Sequence, residues 1–238
     1  MFSSPSRRTA GIPALATLLF AALLAAFLAV PAAQAQFGQT HRETNANRRA
    51  RIQRQIAETY THRWETAGGG GYLRFRSGQF TQRNSEIAFW ANTSYYFNQK
   101  LGVTGELRGY YGNAKVPNYN QFASLVGTPQ ISEYPFMAGP TYRIVLHQHL
   151  AVSAFALGGA AIGKFDGDTK GIPAPTLGFW PSSTARPAFS VGANVDLNLF
   201  PNLAFRIAPN YMGTTFGGSI QNNLGVNLGL VYRFGRQQ

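Results

Sequence analysis

Few residues of this 238-residue chain are of a kind that does chemistry, and their spacing narrows what that chemistry is. There is no cysteine, which removes disulfides, thiolate metal sites and lipid attachment at an N-terminal Cys. The histidines are His41, His62, His147 and His149. His147 and His149 flank a single glutamine, and two imidazoles without a carboxylate make a polar turn rather than a metal site. Asp166-Gly-Asp168 matches a fragment of a calcium loop and lacks its remaining ligands. No catalytic, metal or cofactor-binding set is therefore expected. What remains is a group of charges embedded in alternating apolar stretches: Arg74, Arg76, Glu86, Glu106, Arg108, Arg143, Asp196, Arg206 and Arg233. Brought together inside a closed sheet, they would form an ion-pair network holding strands in register. The sharper alternative is the lining of a narrow anion-selective passage.

The elements that must position these charges show in the patterning. The chain is 45% hydrophobic and only 13% charged, about half the charged fraction usual for a soluble protein. Something other than charge must cover its surface. The net charge of +12 would suit nucleic acid, but the basic residues are scattered rather than gathered in a stripe or motif, so no nucleic-acid partner is expected.

Arg7 and Arg8 precede an apolar run from Ala14 to Val30, followed by Ala33-Gln34-Ala35. That order reads as a secretory signal peptide over 1–35, cleaved between Ala35 and Gln36. No later apolar stretch is long enough for a membrane helix. Residues 36–69 form a basic tail, in which Ile52, Ile56 and Tyr60 recur at four-residue spacing; a short amphipathic helix is expected, or else a flexible tail ending in a hinge at Gly68–Gly71.

From Gly70 onwards the period is two. In the last strand, Leu224, Val226, Leu228, Leu230, Tyr232 and Phe234 alternate with Gly225, Asn227, Gly229, Val231 and Arg233, over about the length a tilted strand needs to cross hydrocarbon. The same parity runs through Phe189–Leu199 and Leu203–Tyr211, through Ile87–Phe97 and Leu101–Tyr111, and through Phe136–Leu146. A strand from Leu150 to Ile162, too rich in Ala and Gly to assign its faces, and one from Gly70 to about Phe80 bring the count to eight. Short links, Asn98–Lys100, His147–His149 and Phe200–Asn202, alternate with long ones, 77–85, 112–133, 163–185 and 212–223. That asymmetry, with an even strand number, is characteristic of outer-membrane barrels, whose long loops face outward. The expected fold is all-β: an eight-stranded antiparallel up-and-down transmembrane β-barrel over 70–238, with a short N-terminal helical or flexible tail.

The apolar face should meet lipid. In the six clearest strands the charges Glu86, Glu106, Arg108, Arg143, Asp196, Arg206 and Arg233 all share the non-aliphatic parity. One basic side chain on the lipid face at mid-bilayer costs roughly 2–4 kcal/mol. Aromatics bunch near the strand ends, as girdles would require: Tyr95, Tyr96, Phe97, Phe200, Tyr232 and Phe234 at one, Phe89, Trp90, Tyr110, Tyr111, Tyr134, Phe136 and Tyr211 at the other.

Three stretches, Leu101–Gly112, Phe136–Arg143 and Gln221–Phe234 with its closing Val-Tyr-Arg-Phe-Gly, resemble the small OmpA/OmpX-type outer-membrane barrels. The resemblance covers about Gly70 to Gly235. It implies insertion into the outer membrane through the barrel assembly machinery reading the last strand, with outer-membrane lipids and lipopolysaccharide as neighbours. The expected role is non-enzymatic, structural or limited passive (porin-like) transport of an unidentified solute, without cofactor. The alternative is a surface interaction or adhesion module acting through its long loops, one of which carries Phe179-Trp180-Pro181.

Overall fold

A computed structural model describes residues 44–236; the expected signal peptide and the Ala35–Gln36 cleavage site lie outside them. Residues 44–48 carry the start of the first helix and belong to a separate unit of the chain; the unit from Arg49 to Gln238 contains the barrel. The elements run α1 (Asn45–Tyr60), β1 (His62–Arg76), β2 (Arg83–Tyr96), β3 (Leu101–Asn113), α2 (Ala123–Val126), β4 (Gln130–Leu146), β5 (Leu150–Gly167), a 3₁₀ turn at Ala174–Leu177, β6 (Thr184–Phe200), β7 (Leu203–Thr214) and β8 (Gln221–Arg236). Each strand pairs antiparallel with the next, and β8 returns to β1, closing an eight-stranded up-and-down barrel with no free sheet edge.

The short links are built by local hydrogen bonding. At Asn98 the side-chain Oδ1 accepts from the backbone N–H of Lys100 (2.9 Å) and Leu101 (2.7 Å), an Asx turn that reverses the chain into β3. Between β4 and β5 the His147 N–H donates to Leu150 O at 2.9 Å. These turns, the C-terminal part of α1 and the end of β8 share one end of the barrel, the turn end. The connections over 77–82, 114–129, 168–183 and 215–220 gather at the other, the loop end.

Those connections are shorter than the alternation suggests, because the strands continue past the apolar band. β4 starts at Gln130 and β5 reaches Gly167, with Gln130 paired to both Gly167 and Asn113. There the outward residues cease to be apolar, so the alternation fades while the backbone ladder goes on.

β1 also departs from expectation, beginning at His62 rather than Gly70. The Gly68–Gly71 run is mid-strand, not a hinge. Its reason is Trp90 on β2, whose indole lies inside the barrel and donates to Gly70 O (3.0 Å) and Leu228 O (3.2 Å). A Cβ on Gly69 would stand 2.1 Å from Leu228 O, and one on Gly229 3.0 Å from the Trp90 ring. Only glycine lets β1 and β8 pass this close beneath the indole.

The outer wall is apolar: Ile87, Phe89, Leu101, Val103, Leu107, Phe136, Ile144, Val191, Leu197, Leu199, Leu224, Leu228 and Leu230 are all exposed. At the turn end Trp64 packs on Tyr95 (4.9 Å between centroids) and stacks on Phe234, and at the loop end Tyr111 meets Phe89 and Tyr134. Three aromatics expected in these girdles, Trp90, Tyr96 and Tyr110, instead point inward and are buried. They share the parity of Glu86, Asn92 and Arg108, and parity rather than position along the strand decides the face. The faces of β5 are now defined: Ala151, Ser153, Phe155, Leu157, Ala161 and Phe165 point inward.

Candidate functional site

Among the described residues polar chemistry is concentrated in the interior, and it is layered. Nearest the turn end, Glu65 of β1 accepts from Arg143 of β4 (3.0 Å), Arg233 of β8 (3.0 Å) and Arg206 of β7. Asp196 of β6 accepts from Arg206 Nε (2.7 Å), and its other oxygen from an Arg206 terminal nitrogen (2.8 Å) and from Arg233 (3.0 Å). The three guanidiniums thus face two carboxylates, and every one of the five groups is buried. Arg143 lies 3.4 Å above the Tyr96 ring, which spreads the remaining positive charge over an aromatic face.

Tyr60, the last residue of α1, stoppers this layer. Its hydroxyl donates to His147 O (2.8 Å) and accepts from Asn198 Nδ2 (2.9 Å), while Arg143 and Arg233 sit 5.5 and 5.8 Å from its ring centre. Burial pushes the Tyr60 phenol above its usual range, which keeps it a neutral donor. Gln55, one turn earlier, bonds to Gln148. The C-terminal part of α1 is therefore docked on the turn between β4 and β5.

The middle layer is centred on Arg108. It pairs with Glu106 through Nε (2.7 Å), and its other nitrogens reach Asn210 Oδ1 on β7 (2.9 Å), Tyr110 Oη (3.1 Å) and Ser190 Oγ on β6 (3.2 Å). Asn92 of β2 donates to Glu106. This side chain bridges from β3 to the opposite wall.

Towards the loop end the filling turns apolar. Phe75, Phe165 and Phe216 pack together with centroids 5.2 to 6.3 Å apart. Leu177 and Phe179, from the 168–183 connection, close over them. That connection crosses the barrel mouth and is pinned to β1: Trp180 donates its backbone N–H to Ser77 O (2.9 Å) and its Nε1 to Arg76 O (3.0 Å). Below this lid sit Glu86 and Glu133, both fully buried, with none of their four carboxylate oxygens hydrogen-bonded. Gly112 lies directly across from Glu86 and leaves no side chain in between.

The structure places Glu86, Glu106, Arg108, Arg143, Asp196, Arg206 and Arg233 inside the barrel, though Glu86 joins no ion pair. Arg74 and Arg76 are a correction: both are exposed on the outer wall, while Leu73 and Phe75 take the inward positions. Phe75 packs there against Phe165 and Phe216, so burying Leu and Phe and leaving the guanidiniums in solvent is the lower-energy choice. Glu65, bonded to three arginines, is not among the residues expected from the sequence, because β1 begins eight residues before the alternation shows it; its parity with Ala67 and Leu73 is the signal that marks it as inward. Glu133, expected in the 112–133 link, lies instead in the first rungs of the ladder in β4. Among the described residues, no three His, Asp or Glu side chains are grouped to hold a metal. Two clefts open at the loop end, one of about 480 Å³ within the 166–182 segment and one of about 160 Å³ beside Arg76 and Arg83.

No protein-family model matches this chain, and no curated protein matches it. Solved structures do. The outer-membrane protein OprG of Pseudomonas aeruginosa is similar at 15% identity and a TM-score of 0.50, covering 74% of this chain and 97% of that one. Neisserial surface protein A is similar at 12% identity and a TM-score of 0.49, with 72% and 97% covered. Ail, the attachment invasion locus protein of Yersinia pestis, is similar at 19% identity and a TM-score of 0.47, over the same shares. The chain thus has the fold of the small eight-stranded outer-membrane barrels.

Proposed function

We propose that this protein is a sealed, non-enzymatic outer-membrane barrel whose role is structural rather than transport. On this reading the 1–35 leader is removed after Ala35, β8 is read by the assembly machinery, and the apolar wall sits among outer-membrane lipids and lipopolysaccharide. The observation that carries the sealed lumen is the Arg108 bridge between β3, β6 and β7, flanked by the Glu65–Asp196 network on one side and the aromatic lid on the other. An eight-stranded barrel has just enough interior for side chains to fill. Buried ion pairs this fully bonded leave no file of water for a solute.

The test is the chain from Gln36, refolded in detergent and assayed by heat-modifiable gel mobility and single-channel recording. A heat-shifted band without conductance is expected. Steady conductance through the intact barrel would refute the sealed lumen and restore passive transport. A chain soluble without detergent and showing no shift would remove the membrane assignment itself.

A second reading, contact with another surface through the loop end, is favoured by one observation. The 168–183 connection is held in a fixed shape by Trp180 and by Asn120, which donates to Thr176 O at 2.8 Å. A connection tied down at two points presents its exposed side chains at little entropic cost.

A further inference from the structure

β1 and β5 stand four strands apart, on opposite walls of the eight-stranded ring. α1 runs into β1 through Thr61, yet its Gln55 is bonded to Gln148 in the turn between β4 and β5. Six residues of helix rise about 9 Å. The end of α1 from Gln55 onwards therefore lies across the mouth at the turn end, and the helix leaves that mouth over the β4–β5 rim. What precedes Gln55 stands outside the ring of strands. The wall below this rim is exposed and largely apolar, with Tyr142 and Ile144 on β4.

Burial marks the face that α1 turns towards the barrel: Ile52, Gln55 and Ile56 are half-buried, and Thr59 and Tyr60 are buried. At 3.6 residues per turn, Arg49 continues this same face one turn beyond Ile52. Arg49 is exposed, because the helix has passed the rim and no strand lies beneath it. Arg54 and Glu58 are also exposed, but on the opposite face. The overhanging turn thus directs an isoleucine and a guanidinium at the plane of the membrane.

We infer that α1 is an interfacial helix whose Arg49 turn binds the phosphate of an anionic phospholipid in the leaflet at the turn end. An apolar residue beside a long basic one suits that boundary, since the alkyl stem lies along the acyl chains while the charged head meets the phosphate. Trp64 sets the height. It stacks on Phe234 at the same end, only four residues beyond Tyr60, and interfacial rings of this kind sit at headgroup level. The inference rests on the membrane reading.

The chain has no cysteine, so Gln53→Cys places a single environment-sensitive dye on the exposed side of α1. The refolded protein in neutral-detergent micelles is titrated with phosphatidylglycerol, phosphatidylcholine, inorganic phosphate and polyglutamate. Each variant is first checked for its heat-shifted band; no band in the parent protein would refute the membrane reading, and the outcomes that follow are read on shifted protein alone. We expect a dye response to phosphatidylglycerol and none to phosphatidylcholine. Arg49→Gln should raise the mole fraction of phosphatidylglycerol needed for half the response roughly fivefold, the effect of losing one cation at an anionic surface. Arg49→Lys and Arg54→Gln should stay near wild type. Equal weakening by Arg49→Gln and Arg54→Gln would reduce the effect to diffuse charge and overturn the inference. So would an equal response to both lipids, full competition by inorganic phosphate, or tighter binding of polyglutamate, which would assign this face to an acidic polymer.

Discussion

Glu65 is the residue on which the inner layer depends, because three guanidiniums from three strands converge on its two oxygens. Removing one member of a buried, bonded charge set leaves its partners unpaired at a cost of about 3–5 kcal/mol. Glu65→Gln is therefore expected to destabilise the refolded barrel by roughly that amount, read as a lower urea midpoint in lipid vesicles; an unchanged midpoint would show that solvent reaches this layer. The opposite holds at Glu86 and Glu133, which are buried without any hydrogen-bond partner. An apolar side chain of similar length removes the unpartnered polar atoms at no loss of hydrogen bonds, so Glu86→Met and Glu133→Met should be neutral or raise stability by about 1 kcal/mol or more. Urea titration of the same preparations decides it, and marked destabilisation by either change would mean that these carboxylates have a partner.

At the scale of elements, β1 and β2 are coupled through one indole. Trp90 spans from β2 across β1 to the backbone of β8, which is why the glycines cluster where they do. Gly69→Val would drive a side chain into the Leu228 carbonyl, and we expect that variant to lose the heat-shifted band, whereas Gly105→Ala, with open space around its Cα, should keep it. Trp90→Ala leaves the glycines tolerable but empties a large buried volume, with an expected cost of about 3–5 kcal/mol. Equal behaviour of the Gly69 and Gly105 variants would separate the glycine run from strand packing. α1 belongs to this scale too: its last turn is a stopper only because Tyr60 finds both the His147 carbonyl and Asn198.

For the whole molecule, closure is redundant. The lid over the loop end, the Arg108 bridge and the Tyr60 stopper act in series, so opening either mouth should not make a pore. Tyr60→Ala, or shortening of the 168–183 connection, alone or together, is expected to leave conductance at baseline. Adding Glu106→Ala with Arg108→Ala should still leave conductance at baseline, because the Glu65–Asp196 layer stays bonded; channel events in a planar bilayer are expected only when Glu65→Ala is added as well. Steady conductance in the lid variant by itself would show that the middle layer does not seal.

Strand number, alternating faces and the unequal links were legible in the sequence because they are local: a period of two and a turn composition need no knowledge of what lies across the barrel. The inward setting of the charges in β2, β3, β4, β6, β7 and β8 followed from the same parity. Where the local signal was weak, the reading stopped short. The first part of β1 is hidden in the sequence because its glycines have the composition of a hinge, and only the Trp90 indole of the neighbouring strand gives them a place mid-strand; Glu65 is hidden with it. The expectation that Arg74 and Arg76 face inward follows the rule that charge shares the interior, yet the interior changes character with height, and only the packing of Phe75 on β1, Phe165 on β5 and Phe216 in the 215–220 connection fills it with rings there. Which charges meet, which carboxylates stand alone and whether the lumen is filled all depend on register around a closed ring. Register is set by every strand pair at once, so no single stretch of sequence contains it.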